Sequence, residues 1–142
     1  MNSRRLLPAL LLAACAVVPF SLNAEGSHEK GAKPAHISMG QEVKLADYLV
    51  PGKTTVFDFY SDYCPPCRAL APKMEKLHAD RADIAVVKVD INRPGVKGID
   101  WKSPVARQFN LESIPHLKVF GPDGKPLAEG DKAWDIVEPW LN

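Results

Sequence analysis

Residues Thr54 to Tyr60 read TTVFDFY, a run of β-branched and aromatic residues in which only one aspartate interrupts the apolar character. A strand with one face in water alternates between apolar and polar residues. This one does not, so it belongs at the centre of a sheet, buried on both faces. Cys64 then opens a stretch to about Asp80 in which Leu70, Met74 and Leu77, with Ala71 and His78 beside them, fall on one helical stripe. Pro72 lies inside that helix and predicts a kink. Ile84 to Ile91 (IAVVKVDI) repeats the buried-strand pattern, and the intervening helix makes the two strands parallel.

The remaining segments fit around this unit. His36 to Met39 reads as a short edge strand and Val43 to Val50 as a short helix ended by Pro51-Gly52. Asn92 to Lys102, with Pro94, Gly95 and Gly98, reads as a loop, and Ser103-Pro104 caps a helix running to about Phe109. His116 to Phe120 and Pro126 to Glu129 flank Gly121-Pro122-Asp123-Gly124, a hairpin turn that makes the last two strands antiparallel. Asp131 is placed to cap a final helix through Leu141, despite Pro139 near its end. The order of elements is that of an α/β domain with a mixed sheet, and 142 residues leave room for one such domain. A formal charge of +1 and a pI near 7.7 provide neither a basic face for nucleic acid nor an acidic block for a cationic partner.

The first residues read as an address. Arg4 and Arg5 precede the apolar run Leu6 to Phe20, which is interrupted by Pro8 and Pro19 and is short for a bilayer span. Residues 1–24 are therefore expected to be a signal peptide cleaved after Ala24, with 25–36 a polar, flexible leader and 37–142 the folded domain. A second processing route competes. Leu12-Ala13-Ala14-Cys15 resembles a lipobox, in which Cys15 would become a lipidated first residue and anchor the protein to a membrane. His28 and His36 read as surface histidines of the leader rather than as metal ligands.

Two cysteines three apart at a strand-to-helix junction, Cys64 and Cys67, can form and break a disulfide locally. A ring that small removes little entropy from the unfolded chain, so redox turnover explains the pair better than a structural staple does. Cys64 precedes the helix body, where free N–H groups and the helix dipole favour a thiolate, and it is expected to be the attacking sulfur. Cys67 would then resolve the mixed disulfide. Pro65 and Pro66 suit a first helical turn but have no N–H to offer that thiolate. The other reading is a protein that handles copper or zinc through the two thiolates without turnover. Asp58, set between Phe57 and Phe59, should have a raised pKa and could take the proton of Cys67, or could be a locally hydrogen-bonded strand residue. Lys88 on the neighbouring strand either pairs with Asp58 or reaches for the surface.

The run FDFYSDYCPPCRALAP, joined to KVDIN and SIPHLKVFGPDG, resembles the thioredoxin family over roughly residues 40 to 141. The resemblance implies a thioredoxin-like sandwich, with a central mixed β-sheet and helices on both faces. It implies thiol–disulfide oxidoreductase activity without an organic cofactor, because the dithiol carries the two electrons. By it, Asp58 and Lys88 match the family's buried acid and strand lysine, and Pro72 its helix kink. Pro115 matches its cis-proline, with the backbone of Ile114 beside Cys64 for pairing with an extended substrate segment. Tyr63 stands where thioredoxins usually have Trp, and the Pro-Pro dipeptide is similar to that of exported relatives of the cytochrome c maturation and TlpA type. The partners implied are protein thiols and disulfides, with a membrane electron donor among them, and the place is the bacterial periplasm. A monomer is expected, with no nucleic acid partner. The loop from Asn92 to Lys102 is longer than in small thioredoxins. Trp101 within it is read either as a substrate contact or lid, or as an aromatic that anchors the loop. His116, beside Pro115, either tunes the thiolate or simply begins a strand.

Overall fold

The computed structural model describes residues 32–142. The expected signal peptide, Cys15 and His28 lie outside the described residues, as does most of the leader. Five strands, β1 (Ala35–Ile37), β2 (Thr54–Tyr60), β3 (Ile84–Asp90), β4 (His116–Phe120) and β5 (Pro126–Glu129), form one sheet in the order β1-β3-β2-β4-β5. Three helices, α1 (Pro65–Asp80), α2 (Pro104–Gln108) and α3 (Asp131–Val137), connect or follow them. β2 runs parallel to β3 and antiparallel to β4, which makes the sheet mixed and puts TTVFDFY at its centre. Among the described residues no helix is long and apolar enough to cross a membrane.

Alternation along β2 and β3 divides the interior into two cores. Phe57, Phe59, Val87 and Val89 face one side, where Val105 and Ala106 of α2 and Leu45 cover them. Val56 and Val86 face the other, against Leu70, Met74 and Leu77 of α1 and Ala133 and Val137 of α3. Each fully buried side chain of this size contributes about 1.5–3 kcal/mol. His78 joins the buried stripe of α1 and accepts a hydrogen bond from the Val86 N–H at 2.9 Å. The expected helix between Val43 and Val50 is only a 3-10 turn, Leu45–Tyr48. The backbone at its ends is engaged elsewhere: Val43 exchanges two hydrogen bonds with the Gln108 side chain, and the Val50 N–H donates to Thr55 Oγ1.

Strand β1 starts at Ala35, inside the stretch expected to be leader, because its backbone pairs in parallel with β3 from Ala35↔Val87 onward. It stops at Ile37, where Ser38, Met39 and Gly40 take positive φ values of 77°, 50° and 80°. Gly40 is obligatory, since a Cβ there would stand 2.6 Å from the Arg93 backbone nitrogen. Asp131 does not cap the last helix. Gly130 holds the cap position at φ 60°, and Asp131 is the first helical residue. The helix gives way after Val137 to a 3-10 turn, Glu138–Trp140, because Pro139 cannot donate the next helical bond. Ser103 caps α2 as expected, its Oγ accepting from the Ala106 N–H.

Candidate active site

β2 delivers the chain to a tight turn, closed by the Cys64 N–H donating to the Ser61 carbonyl at 3.0 Å. That turn sets Cys64 at the cap position of α1, one residue before the helix proper. Cys64 and Cys67 are joined as a disulfide with their Cα atoms 5.2 Å apart. Pro65 and Pro66 occupy the first two helical positions, so the first N–H the helix can offer is that of Cys67, which donates to Cys64 Sγ at 3.2 Å. Both cysteines are only 2% exposed, packed with Tyr60 and against Ile99 and Ile114. The Ile114–Pro115 peptide is cis, and the Ile114 carbonyl oxygen lies 3.6 Å from Cys64 Sγ. A shallow groove of about 490 Å³, lined by Pro66, Ala69, Leu70, Lys73, Pro115 and Trp134, flanks the pair on the α3 side.

Beneath the dithiol end of α1 the sheet carries charge. Asp58 lies between Val56 and Tyr60 on the face that α1 covers, and Lys88 is its register partner on β3. Lys88 is buried rather than reaching the surface, its Nζ 4.0 Å from Asp58 Oδ2 and 4.4 Å from the centre of the Tyr60 ring. Neither carboxylate oxygen of Asp58 receives a hydrogen bond. Burial therefore dominates and pushes its pKa up from 3.8 to about 6, with the Lys88 charge opposing the rise. The Tyr60 hydroxyl, paired with His36 Nδ1 at 2.9 Å, is itself pushed upward by burial and by Asp90, Asp62 and Asp58.

The structure thus brings together Cys64, Cys67 and Ile114, and separately Asp58 and Lys88. Tyr63 is exposed, outside the packed cluster. His116 begins β4 opposite Phe59, on the face away from Asp58, and pairs with Glu129 at 3.1 Å. Trp101 is exposed, while Ile99 of the same loop packs against the core and the disulfide cluster. Three features escaped the sequence reading. Tyr60 could have been found, because it is two residues from Asp58 on the same strand face. Ile99 and the Cys67 N–H leave no signal in a linear pattern. Among the described residues no group of three or more His, Cys, Asp or Glu side chains is gathered to hold a metal ion.

A mixed sheet with a cysteine pair at the start of its first helix, faced by a cis-proline, defines a thioredoxin-fold dithiol protein. The thioredoxin family model matches residues 41–134. Thioredoxin of Mycobacterium tuberculosis is 33% identical over 96 residues, which are 67% of this chain and 75% of that protein. The thiol:disulfide interchange protein TxlA homolog of Synechocystis is 28% identical over 136 residues, covering 92% of this chain and 67% of that one. The structure of a mutant thioredoxin from Halobacterium salinarum superposes with a TM-score of 0.53 at 24% identity, covering 82% of this chain and 94% of the other. The chain belongs to the thioredoxin family and is a thiol–disulfide oxidoreductase.

Proposed function

We propose that the protein exchanges disulfides with protein substrates outside the cytoplasm through Cys64 and Cys67. The observation that carries this reading is the disulfide at the cap of α1, one sulfur held by a helix N–H, with the carboxyl of Asp58 buried beneath it. In the reducing direction the Cys64 thiolate attacks a substrate disulfide, forming a mixed disulfide and releasing one substrate sulfur as a thiolate that takes a proton from water. Cys67 then loses its proton to Asp58 and attacks Cys64 Sγ. The second substrate sulfur leaves, the Cys64–Cys67 disulfide closes, and two electrons have passed to the substrate. Asp58 returns its proton to the departing sulfur.

An acid whose pKa is about 6 suits this exchange, since at neutral pH it is mostly ready to accept a proton. Lys88 tempers the cost of that charge. Pro115 and the Ile114 backbone receive the extended segment around the substrate cystine, with Tyr63 at its margin. The reverse reaction uses the same steps, and a membrane electron donor returns the pair to the dithiol. The basic start, the apolar run and the small residues before Glu25 support export to the periplasm with ordinary cleavage, Cys15 being lost with the signal.

The test uses Cys67→Ser and Cys64→Ser proteins. The first should accumulate a mixed disulfide on Cys64 with a protein disulfide substrate, and the second should reduce none. Failure of the Cys67→Ser protein to capture any substrate removes the exchange mechanism. The mass of the protein recovered from periplasm tests export: a chain beginning near Glu25 is expected, and a lipid-modified Cys15 as first residue would replace that reading with an anchored one.

A further inference from the structure

The loop between β3 and α2 is ordered by polar side chains, and neither the fold nor the exchange chemistry uses all that it presents. The Arg93 guanidinium donates from Nε and Nη2 to the two oxygens of Asp100 at 2.7 and 3.0 Å, a bidentate pair, and Asp100 is buried. Asn92 closes the same loop from inside, its Nδ2 donating to the Gly98 carbonyl at 2.7 Å and its Oδ1 accepting from the Asp100 N–H at 3.3 Å. Gly40 presses on Arg93 from the turn after β1. These contacts fix the residues on either side of Asp100.

One of them, Ile99, packs against the disulfide cluster. The other, Trp101, follows a tight turn in which its N–H donates to the Ile99 carbonyl at 3.1 Å. Two residues span at most about 7 Å of chain, so Trp101 starts within that distance of a residue touching the cysteines. Trp101 is 40% exposed, whereas Trp134 and Trp140 are partly buried and packed on the α1 core. The fold spends two tryptophans on packing and leaves the third outside, on an ordered loop at the dithiol edge. A rigid, exposed aromatic beside a reactive centre is the kind of residue that dominates a protein contact.

We infer that Trp101 is a specificity-determining contact for protein substrates, and that the Arg93–Asp100 pair positions it. The occupant is the polypeptide flanking the substrate cystine. Cys64 is buried, so a disulfide that reaches it must carry its neighbouring chain past Ile99 and Ile114, and Trp101, two residues along from Ile99, is the exposed aromatic of that loop. This inference rests on the exchange reading of Cys64.

The test compares a protein disulfide, insulin, with a small one, 5,5′-dithiobis(2-nitrobenzoate), in reduction by the purified protein brought to the dithiol beforehand. The rate is followed against disulfide concentration, so that the half-saturating concentration stands for KM and the limiting rate for kcat. Trp101→Ala should raise KM for insulin about tenfold with little change in kcat, and lower the preference for insulin over the small disulfide by a similar factor. Arg93→Ala should act in the same direction by roughly threefold, and Arg93→Lys, which keeps one donor for Asp100, should recover part of it. Tyr48→Ala, an exposed aromatic in the 3-10 turn, serves as control and should alter neither substrate. If Trp101→Ala stays within twofold of wild type on insulin, or loses equally on both disulfides, the inference is wrong while the exchange reading stands. If wild type reduces neither disulfide, the exchange reading fails and this inference falls with it. Should Arg93→Ala not fold, the Trp101→Ala result decides by itself.

Discussion

Phe57 and Asp58 are consecutive residues of β2 and both are shut away from water, at 0% and 1% exposure. They look into different interiors. Phe57 meets an edge-to-face Phe120 ring within a core of aliphatic and aromatic side chains, with His116 against Phe59 and Lys118 over Phe109 only at its β4 margin. Asp58 meets Lys88 across the register and has no hydrogen bond for either oxygen. One side of the sheet is built to hold the fold together. The other is apolar where α1 and α3 lie on it and charged only near the cysteines, where burying a carboxyl costs stability and gains a proton acceptor with a raised pKa.

Breaking the apolar side should have the largest effect. Phe59→Ala is expected to destabilise the protein by about 3–5 kcal/mol in urea titration while leaving the alkylation rate of reduced Cys64 unchanged. A parallel loss of thiol reactivity would mean that the two sides are coupled. Asp58→Asn should do the opposite. The native protein holds the Asp58 proton up to about pH 6, whereas the unfolded chain gives it up near 3.8. Stability from this group is therefore complete below pH 3.8 and is lost as pH rises through about 6. The loss amounts to roughly 3 kcal/mol at neutral pH. Relative to wild type, Asp58→Asn should gain up to about that amount above pH 6, less the cost of leaving Lys88 beside an amide, and gain nothing at pH 3.5. Urea titrations at several pH values give the answer, and wild-type and variant curves that run parallel would contradict it. Lys88→Met removes the opposing charge, so the pH at which wild-type stability falls should move upward. Ser103→Ala, a cap on the apolar side, should cost only about 1 kcal/mol and leave the pH profile as it was.

Much of this contrast could be read from the chain. The unbroken apolar run around Asp58 identified a strand buried on both faces, and two-residue alternation put Asp58 and Lys88 within reach of each other. The spacing of Leu70, Met74 and Leu77 identified the helix that covers them. What stayed hidden depended on partners distant in sequence. β1 begins at Ala35 because β3 is there to receive it, and nothing in a polar leader announces that. The segment after β1 has a helical composition, but Gln108, from α2, takes the backbone of Val43. Gly130 displaced Asp131 from the cap position because a turn from β5 needed a positive φ. The chain also gives no sign that Ile99, two residues before Trp101, is the loop residue packed on the cysteines.

The margins of the sheet carry a consequence for how another polypeptide can approach. β1 is three residues long and β5 four, the latter opening with Pro126, so neither rim offers more than a few free backbone groups. A visiting chain in search of a strand to lie beside gains little at the outside. The main chain at Ile114, just before β4 begins, has its carbonyl oxygen 3.6 Å from Cys64 Sγ, so a segment settling beside it would already have arrived at the sulfur.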